Sequence, residues 1–291
     1  MFKKNIINLY GDFGQNWLSS IPELITKIEK LWNLSNLQII PNLSYNYVAN
    51  CEQNNQPVIL KLFFDINNLQ AELNALNAFA GNGCVKLINH DIKHKALLLQ
   101  KIVPGISLKT FFPDQDEQAV KIISDVIQNL QSSAAPGQKK FPNIYDSLKI
   151  LDKSWNLPEQ YLVKARKLSE KLVATNSKQV LLHGDLHHEN ILLNDKNKWV
   201  AIDPKGVIGA LSLEPATAIC NPIPELLEFS NAKNIIQKRI YLFAQYLNLD
   251  SKEIFDWSYV QAVLCACWSI EDNIDAIYFV KFLEILESIN F

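Results

Sequence analysis

Two short polar segments hold most of the chemistry this chain could perform: His183-Gly184-Asp185-Leu186-His187-His188-Glu189-Asn190 and Asp203-Pro204-Lys205-Gly206. Between them, Ile191-Leu192-Leu193 and Trp199-Val200-Ala201-Ile202 flank a polar turn at 194–198, the composition of a β-hairpin. Such a hairpin delivers Asp203 beside Asn190. Asp185 can then accept a hydroxyl proton, while the Asn190 amide oxygen and the Asp203 carboxylate offer hard donors to Mg²⁺, which completes its shell with water and substrate phosphates. Phosphoryl transfer needs this kind of set, because it asks the protein for placement and charge neutralisation.

The spacing H-x-D-x-x-x-x-N resembles the catalytic loop of kinases, with Asp203 standing for their metal-loop aspartate. In full, HGDLHHEN and IDPKG resemble the aminoglycoside phosphotransferase superfamily, in particular its streptomycin 6-kinase and hydroxyurea kinase-like branch. In that branch the loop usually reads HGDLHHDN, and DPKG replaces the DFG of protein kinases. Glu189 departs from the usual Asp, at a position the family does not use as a ligand. The resemblance implies a two-lobed α+β protein-kinase-like fold, with a small antiparallel-sheet lobe at 1–100 and a mostly helical lobe at 101–291. It also implies an ATP- and Mg²⁺-dependent antibiotic kinase whose acceptor is a hydroxyl of an aminoglycoside such as streptomycin, or of hydroxyurea. A metabolic kinase for a sugar or amino alcohol is one rival reading. A non-catalytic nucleotide-binding module is another, though such a module has no need of Lys61, Asp185, Asn190 and Asp203 together.

These loops require an upstream cation for the nucleotide phosphates. Lys61 lies inside the apolar run Val58-Ile59-Leu60-Lys61-Leu62, and Glu72 follows near the start of a helical pattern at 69–80, where it would brace the lysine. The glycine-rich phosphate cover of kinases is replaced by residues 41–48, which leaves Ser44, Tyr45 or Asn46 to meet phosphate. Residues 97–103 resemble the hinge that reads adenine through backbone groups, with Gln100 and Ile102 as the contacts; ATP and GTP are not distinguished.

Around this frame, the apolar stripe at 15–32 predicts a helix packed on the small lobe. Strand patterns fall at 37–40, 46–49, 58–63, 85–87 and 96–99, with residues 50–56 as a turn. Helices are expected at 117–130, 160–174, 224–229 and 232–247, then continuously over 252–288, interrupted upstream only by the hairpin after the catalytic loop. His183 is expected to orient its loop by hydrogen bonding. Lys205 is either a surface charge or a neutraliser of phosphate or of Asp185. For the acceptor the candidates are Glu214, Trp268, Glu271 and Asp272, the last three in a stretch that resembles the ACWSxED of the streptomycin kinase branch. Paired carboxylates would suit a guanidinium-bearing aminocyclitol.

The 291 residues, 48% hydrophobic and 20% charged, are those of a folded protein. A net charge of −2 without a basic block speaks against nucleic acid as a partner. No apolar run approaches the roughly 20 residues of a membrane span. Five scattered cysteines without paired spacing fit a reducing compartment, hence a cytoplasmic protein; the family resemblance implies a small-molecule partner, and no obligate protein partner is evident.

Overall fold

The computed structural model describes residues 2–41, 43–133, 141–175 and 178–291, so Asn42 of the 41–48 loop lies outside the described residues. Helix α1 (Phe2–Trp32) begins well before the expected stripe and bends at Gly11, whose φ of 53° and ψ of −132° no helix contains. Only glycine takes that conformation cheaply.

A five-stranded antiparallel sheet follows, made of β1 (Leu34–Ile39), β2 (Tyr47–Gln53), β3 (Gln56–Leu62), β4 (Leu87–Asp91) and β5 (Ala96–Gln100) in the order β1-β2-β3-β5-β4. The polar stretch expected as a long turn is mostly strand. β2 and β3 stay paired to Gln53 and Gln56, and only Asn54 and Asn55 turn the chain, with φ of 51° and 61°. Asparagine tolerates this left-handed pair, which matches the twist of a tight hairpin.

Strand alternation sorts β3 between two cores. Leu60 and Leu62 face α1, packing with Ile21, Ile28 and Trp32, while Phe63 belongs to the opposite core with Leu69, Leu73 and Leu76 of helix α2 (Ile66–Phe79). Lys61, out of step with Leu60 and Leu62, therefore projects on the α2 side. The N-terminus of α2 is capped by Asp65, whose carboxylate accepts from the Asn67 N–H at 2.9 Å, a contact worth about 1 kcal/mol.

The remaining chain runs β6 (Pro104–Ser107), α3 (Asp116–Ser133), α4 (Ile144–Leu148), α5 (Glu159–Thr175), β7 (Val180–Leu182), β8 (Ile191–Asn194), β9 (Trp199–Ala201), β10 (Val207–Gly209), α6 (Pro215–Ile219), α7 (Ala232–Leu247), α8 (Ser251–Glu271) and α9 (Ile277–Glu287). α8 is buried through most of its length, with α5, α6, α7 and α9 against it. The continuous helix expected at 252–288 is thus two helices: α8 ends at Glu271, Asp272 caps it, and Asn273 with φ 56° turns the chain. Ile274 and Ile277 carried the apolar pattern across this break, yet both are exposed. The helix expected at 224–229 is one 3₁₀ turn, Glu225–Glu228.

The expected hairpin is β8–β9, with Ile191 opposite Ala201. It is joined by β6, and a second ladder pairs β7 with β10, Leu182 opposite Val207. These three- and four-residue strands are too short to leave a readable period. They matter because the segment 183–190 runs from β7 to β8, and 202–206 runs from β9 to β10. Both polar loops are therefore held at each end by paired strands. Among the described residues no helix is long and apolar enough to cross a membrane, and the five cysteines are free thiols, all buried except the half-buried Cys265.

Candidate active site

The two loops are stitched together by backbone. Ile202 N–H donates to Asn190 O at 2.9 Å, and the N–H groups of Lys205 and Gly206 donate to His183 O at 2.8 and 3.1 Å. Gly206 has φ 67°, and a Cβ there would stand 2.7 Å from Ala75 Cβ of α2. Glycine thus lets the second loop lie directly against the helix that bears Glu72.

Lys61 ties β3 to α2 and to the second loop. Its ammonium donates to both oxygens of Glu72, at 2.9 and 2.7 Å, and lies 3.1 Å from Asp203 Oδ1. Lys61 and Glu72 are 3% and 6% exposed. Burial opposes the charge on Lys61, but Asp203 and Glu72 outweigh it and raise the lysine pKa. Burial also pushes the Glu72 carboxyl up, with Lys61 opposing. Asp203 itself sits at φ 59°, a left-handed conformation that aspartate adopts at some cost, and this turns its carboxylate to Lys61.

His183 fixes the first loop. Its Nε2 lies 2.9 Å from the Ile202 carbonyl, which can only accept, while Nδ1 accepts from the Asp185 N–H at 3.2 Å. The ring is therefore the neutral Nε2–H tautomer, and burial lowers its pKa to about 4. The Asn190 amide donates to Asp185 O at 2.9 Å, which leaves its own carbonyl oxygen for another partner. Lys205 Nζ lies 3.0 Å from Asp185 Oδ2. Burial would raise the Asp185 carboxyl, but the Lys205 ammonium, helped by His187, holds it below its ordinary value. Among the described residues no group of three or more His, Cys, Asp or Glu could cage a metal, so His183, His187 and His188 form no such cluster. One amide oxygen and one carboxylate do suit an ion that takes the rest of its shell from phosphate and water.

These residues line one cleft of about 1130 Å³, with Ser44, Gln100 and Ile102 on the side of the sheet and Trp268 on α8. Glu214 borders the same cleft, whereas Glu271 and Asp272 at the end of α8 are not among its lining. Glu214 is buried behind the first loop, where its carboxylate oxygens accept from the N–H groups of His183 and Gly184 at 2.6 and 3.0 Å. Glu271 pairs with exposed Lys153 at 3.1 Å instead of pairing with Asp272 toward a ligand. Asp272 accepts from Tyr45 OH at 3.2 Å, so the loop that replaces the phosphate cover touches the end of α8. Gln261 and Cys265, absent from the expected site residues, line the cleft with Trp268. Their spacing of four and then three residues, one helical face, was the available signal.

An antiparallel sheet with a lysine–glutamate pair, joined to a mostly helical region in which short strand ladders hold an Asp–Asn loop and a second Asp, defines a protein-kinase-like fold. Solved structures agree: choline kinase LicA from Streptococcus pneumoniae superposes with a TM-score of 0.69 at 16% identity, covering 92% of this chain and 99% of that one. The aminoglycoside phosphotransferase APH(4)-Ia matches at 0.67 and 11%, covering 93% and 100%. Residues 32–273 match the family model described as aminoglycoside/hydroxyurea antibiotic resistance kinase, and the chain belongs to that family. Streptomycin 6-kinase of Streptomyces griseus is 24% identical over 280 residues, 92% of this chain and 89% of that protein. Hydroxyurea phosphotransferase of Kitasatospora aureofaciens is 26% identical over 220 residues, 74% and 62% of the two chains. The chain is therefore a small-molecule phosphotransferase with a hydroxyl group as acceptor, as the two loops implied.

Proposed function

We propose that this protein is an ATP- and Mg²⁺-dependent O-phosphotransferase that phosphorylates a hydroxyl of an aminoglycoside such as streptomycin, or of hydroxyurea. The observation that carries the nucleotide half is the Lys61 ammonium held between Glu72 and Asp203. In this reading Lys61 meets the nucleotide phosphates and Glu72 keeps it aimed. The backbone of Gln100 and Ile102 meets the adenine edge, and Ser44 lies over the phosphates; residues 1–100 form the nucleotide lobe and 101–291 the acceptor lobe. The Asn190 amide oxygen and the Asp203 carboxylate would hold Mg²⁺, which would neutralise phosphate charge when bound. Asp185, ionised at neutral pH beside Lys205, orients the acceptor hydroxyl and takes its proton as the oxygen attacks. No protein nucleophile is required, because the loose transition state of phosphoryl transfer gains most from placement and charge neutralisation.

On the acceptor side, Trp268 and Asp272 are the contacts this reading retains. A carboxylate beside an aromatic ring suits the guanidinium groups of a streptomycin-like molecule. The similarity to streptomycin 6-kinase over nearly the whole chain supports that acceptor class. The test is release of ADP from ATP with streptomycin, hydroxyurea and a set of metabolic alcohols, with and without Mg²⁺. We expect Mg²⁺-dependent turnover with streptomycin or hydroxyurea, and a loss of about 10²–10⁴-fold on Asp185→Asn, the range for removing a general base. Turnover confined to a metabolic alcohol would reassign the acceptor. Near-normal turnover by Asp185→Asn would remove the base from the scheme.

A further inference from the structure

Beyond its ion pair with Asp185, Lys205 is placed to do more. Its backbone is pinned, with its N–H on the His183 carbonyl at 2.8 Å. Its side chain is 62% exposed, and the ammonium lies 3.0 Å from Asp185 Oδ2. The residue is thus fixed at its base, exposed along its side chain, and paired with Asp185 at its tip. Other lysines along the cleft are placed for other work: Lys61 is committed to Glu72 and Asp203, and Lys101 lies in the connection after β5. Among the described residues, Lys205 is the lysine that forms an ion pair with Asp185.

If Asp185 holds the acceptor hydroxyl, the transferring phosphoryl group must lie in line just beyond that hydroxyl, within a lysine tip's reach of Asp185. There the charge of a metaphosphate-like transition state is spread over three equatorial oxygens, and a cation aimed at them is worth more than one aimed at the ground state. We propose that Lys205 is that cation: its ammonium moves from Asp185 to the oxygens of the transferring phosphoryl group and stabilises them during transfer. This rests on the reading of Asp185 as the group that receives the acceptor proton. In the step, the acceptor oxygen forms its bond to phosphorus as the bond from phosphorus to the bridging oxygen of ATP breaks. That bridging oxygen leaves on ADP with the electron pair, the hydroxyl proton passes to Asp185, and Lys205 stays protonated throughout.

A salt bridge on a catalytic carboxylate has an opposite reading, that Lys205 restrains Asp185, and the two differ in sign. The decisive probe needs no acceptor: ADP with Mg²⁺, and ADP with Mg²⁺ and aluminium fluoride, which mimics the planar phosphoryl group, titrated calorimetrically into wild type and Lys205→Gln. The proposal expects ADP alone to bind within about two-fold of wild type, while the gain in affinity on adding aluminium fluoride falls by about 10²-fold, the scale of one lost charge-stabilising group. Lys205→Arg, which keeps the charge, should restore most of the gain. An unchanged gain in Lys205→Gln, or an equal weakening of ADP with and without fluoride, overturns the proposal. In the ADP-release assay Lys205→Gln should lower kcat with little change in KM for ATP, and a rise in kcat would establish restraint instead. Asp185→Asn in the same assay separates the two claims, since its near-normal turnover would strike the reading of Asp185 whatever Lys205→Gln does.

Discussion

On the sheet side of the cleft, Lys61 and Glu72 are buried and doubly hydrogen-bonded, and Lys61 also holds Asp203. On the α8 side, Asp272 is half-buried with one hydrogen bond from Tyr45, and Glu271 is exposed and turned to Lys153. The first arrangement fixes charges before anything binds, which suits a triphosphate that is the same in every turnover. The second leaves side chains free to re-pair, which suits a ligand whose shape must be accommodated. On the proposed function, the reaction and the acceptor are specified by different kinds of structure, one rigid and one adjustable.

The contrast is broken most directly at Lys61. Lys61→Met leaves Glu72 buried without its cation, a change that costs about 3–5 kcal/mol, and removes the proposed phosphate contact, lowering kcat by about 10²–10³-fold. In the double variant Lys61→Met with Glu72→Leu, apolar groups fill the space of the pair. Stability should then return nearly to wild type while turnover stays lost. Urea unfolding and ADP release measure the two quantities on the same samples. Wild-type stability in the single variant would mean that the pair is no more fixed than the α8 side.

A smaller effect is expected behind the catalytic loop. Burial pushes Glu214 up to about 7 against the two N–H groups that it accepts from. Glu214→Gln turns an NH₂ toward one of those donors and leaves it without an acceptor, for about 1–3 kcal/mol. The pH dependence carries a sign. A carboxyl whose folded pKa exceeds its unfolded value of 4.5 contributes stability that is whole below that value and lost as pH rises to about 7. The Gln variant lacks this loss, so its deficit against wild type should shrink across that window by on the order of 1–3 kcal/mol. His183 runs the other way, since its pKa is lowered to about 4 from 6.5: its contribution is present above 6.5 and lost as pH falls to about 4. With Glu214 gone, that acid loss should stand out in thermal melts between pH 4 and 7.

The same division decides what could be read from the chain. Lys61 and Glu72 were legible because alternation along β3 and the start of α2 leave each residue one possible face. Asp185, Asn190 and Asp203 were legible because the β8–β9 hairpin converts sequence spacing into proximity. The purpose of Glu214 was not, since its partners are the backbone N–H groups of His183 and Gly184, which have no residue-type signature. Adjacency misled at Glu271 and Asp272. Successive helical residues point about 100° apart, so Gln261, Cys265, Trp268 and Asp272 share a face that Glu271 leaves. The split of α8 from α9 was hidden because Ile274 and Ile277 continue the apolar pattern over a connection where they are in fact exposed.

The gentlest test lies on the adjustable side. Burial and the Asp272 carboxylate push the Tyr45 phenol up to about 12, so it stays a donor to Asp272 throughout the neutral range. Tyr45→Phe removes that one half-exposed hydrogen bond, worth about 0.5–1.5 kcal/mol at most, and frees the carboxylate for a cationic acceptor. The KM for streptomycin should change by only about two- to ten-fold, with kcat and the KM for ATP nearly unmoved. Asp272→Asn, which keeps a partner for the phenol but removes the charge, should raise the streptomycin KM and leave that of uncharged hydroxyurea alone. If either variant lowered kcat as far as Lys61→Met does, the α8 side would be part of the fixed machinery, because a wall that binds the ground state and the transition state alike raises KM and leaves kcat unchanged when it is weakened.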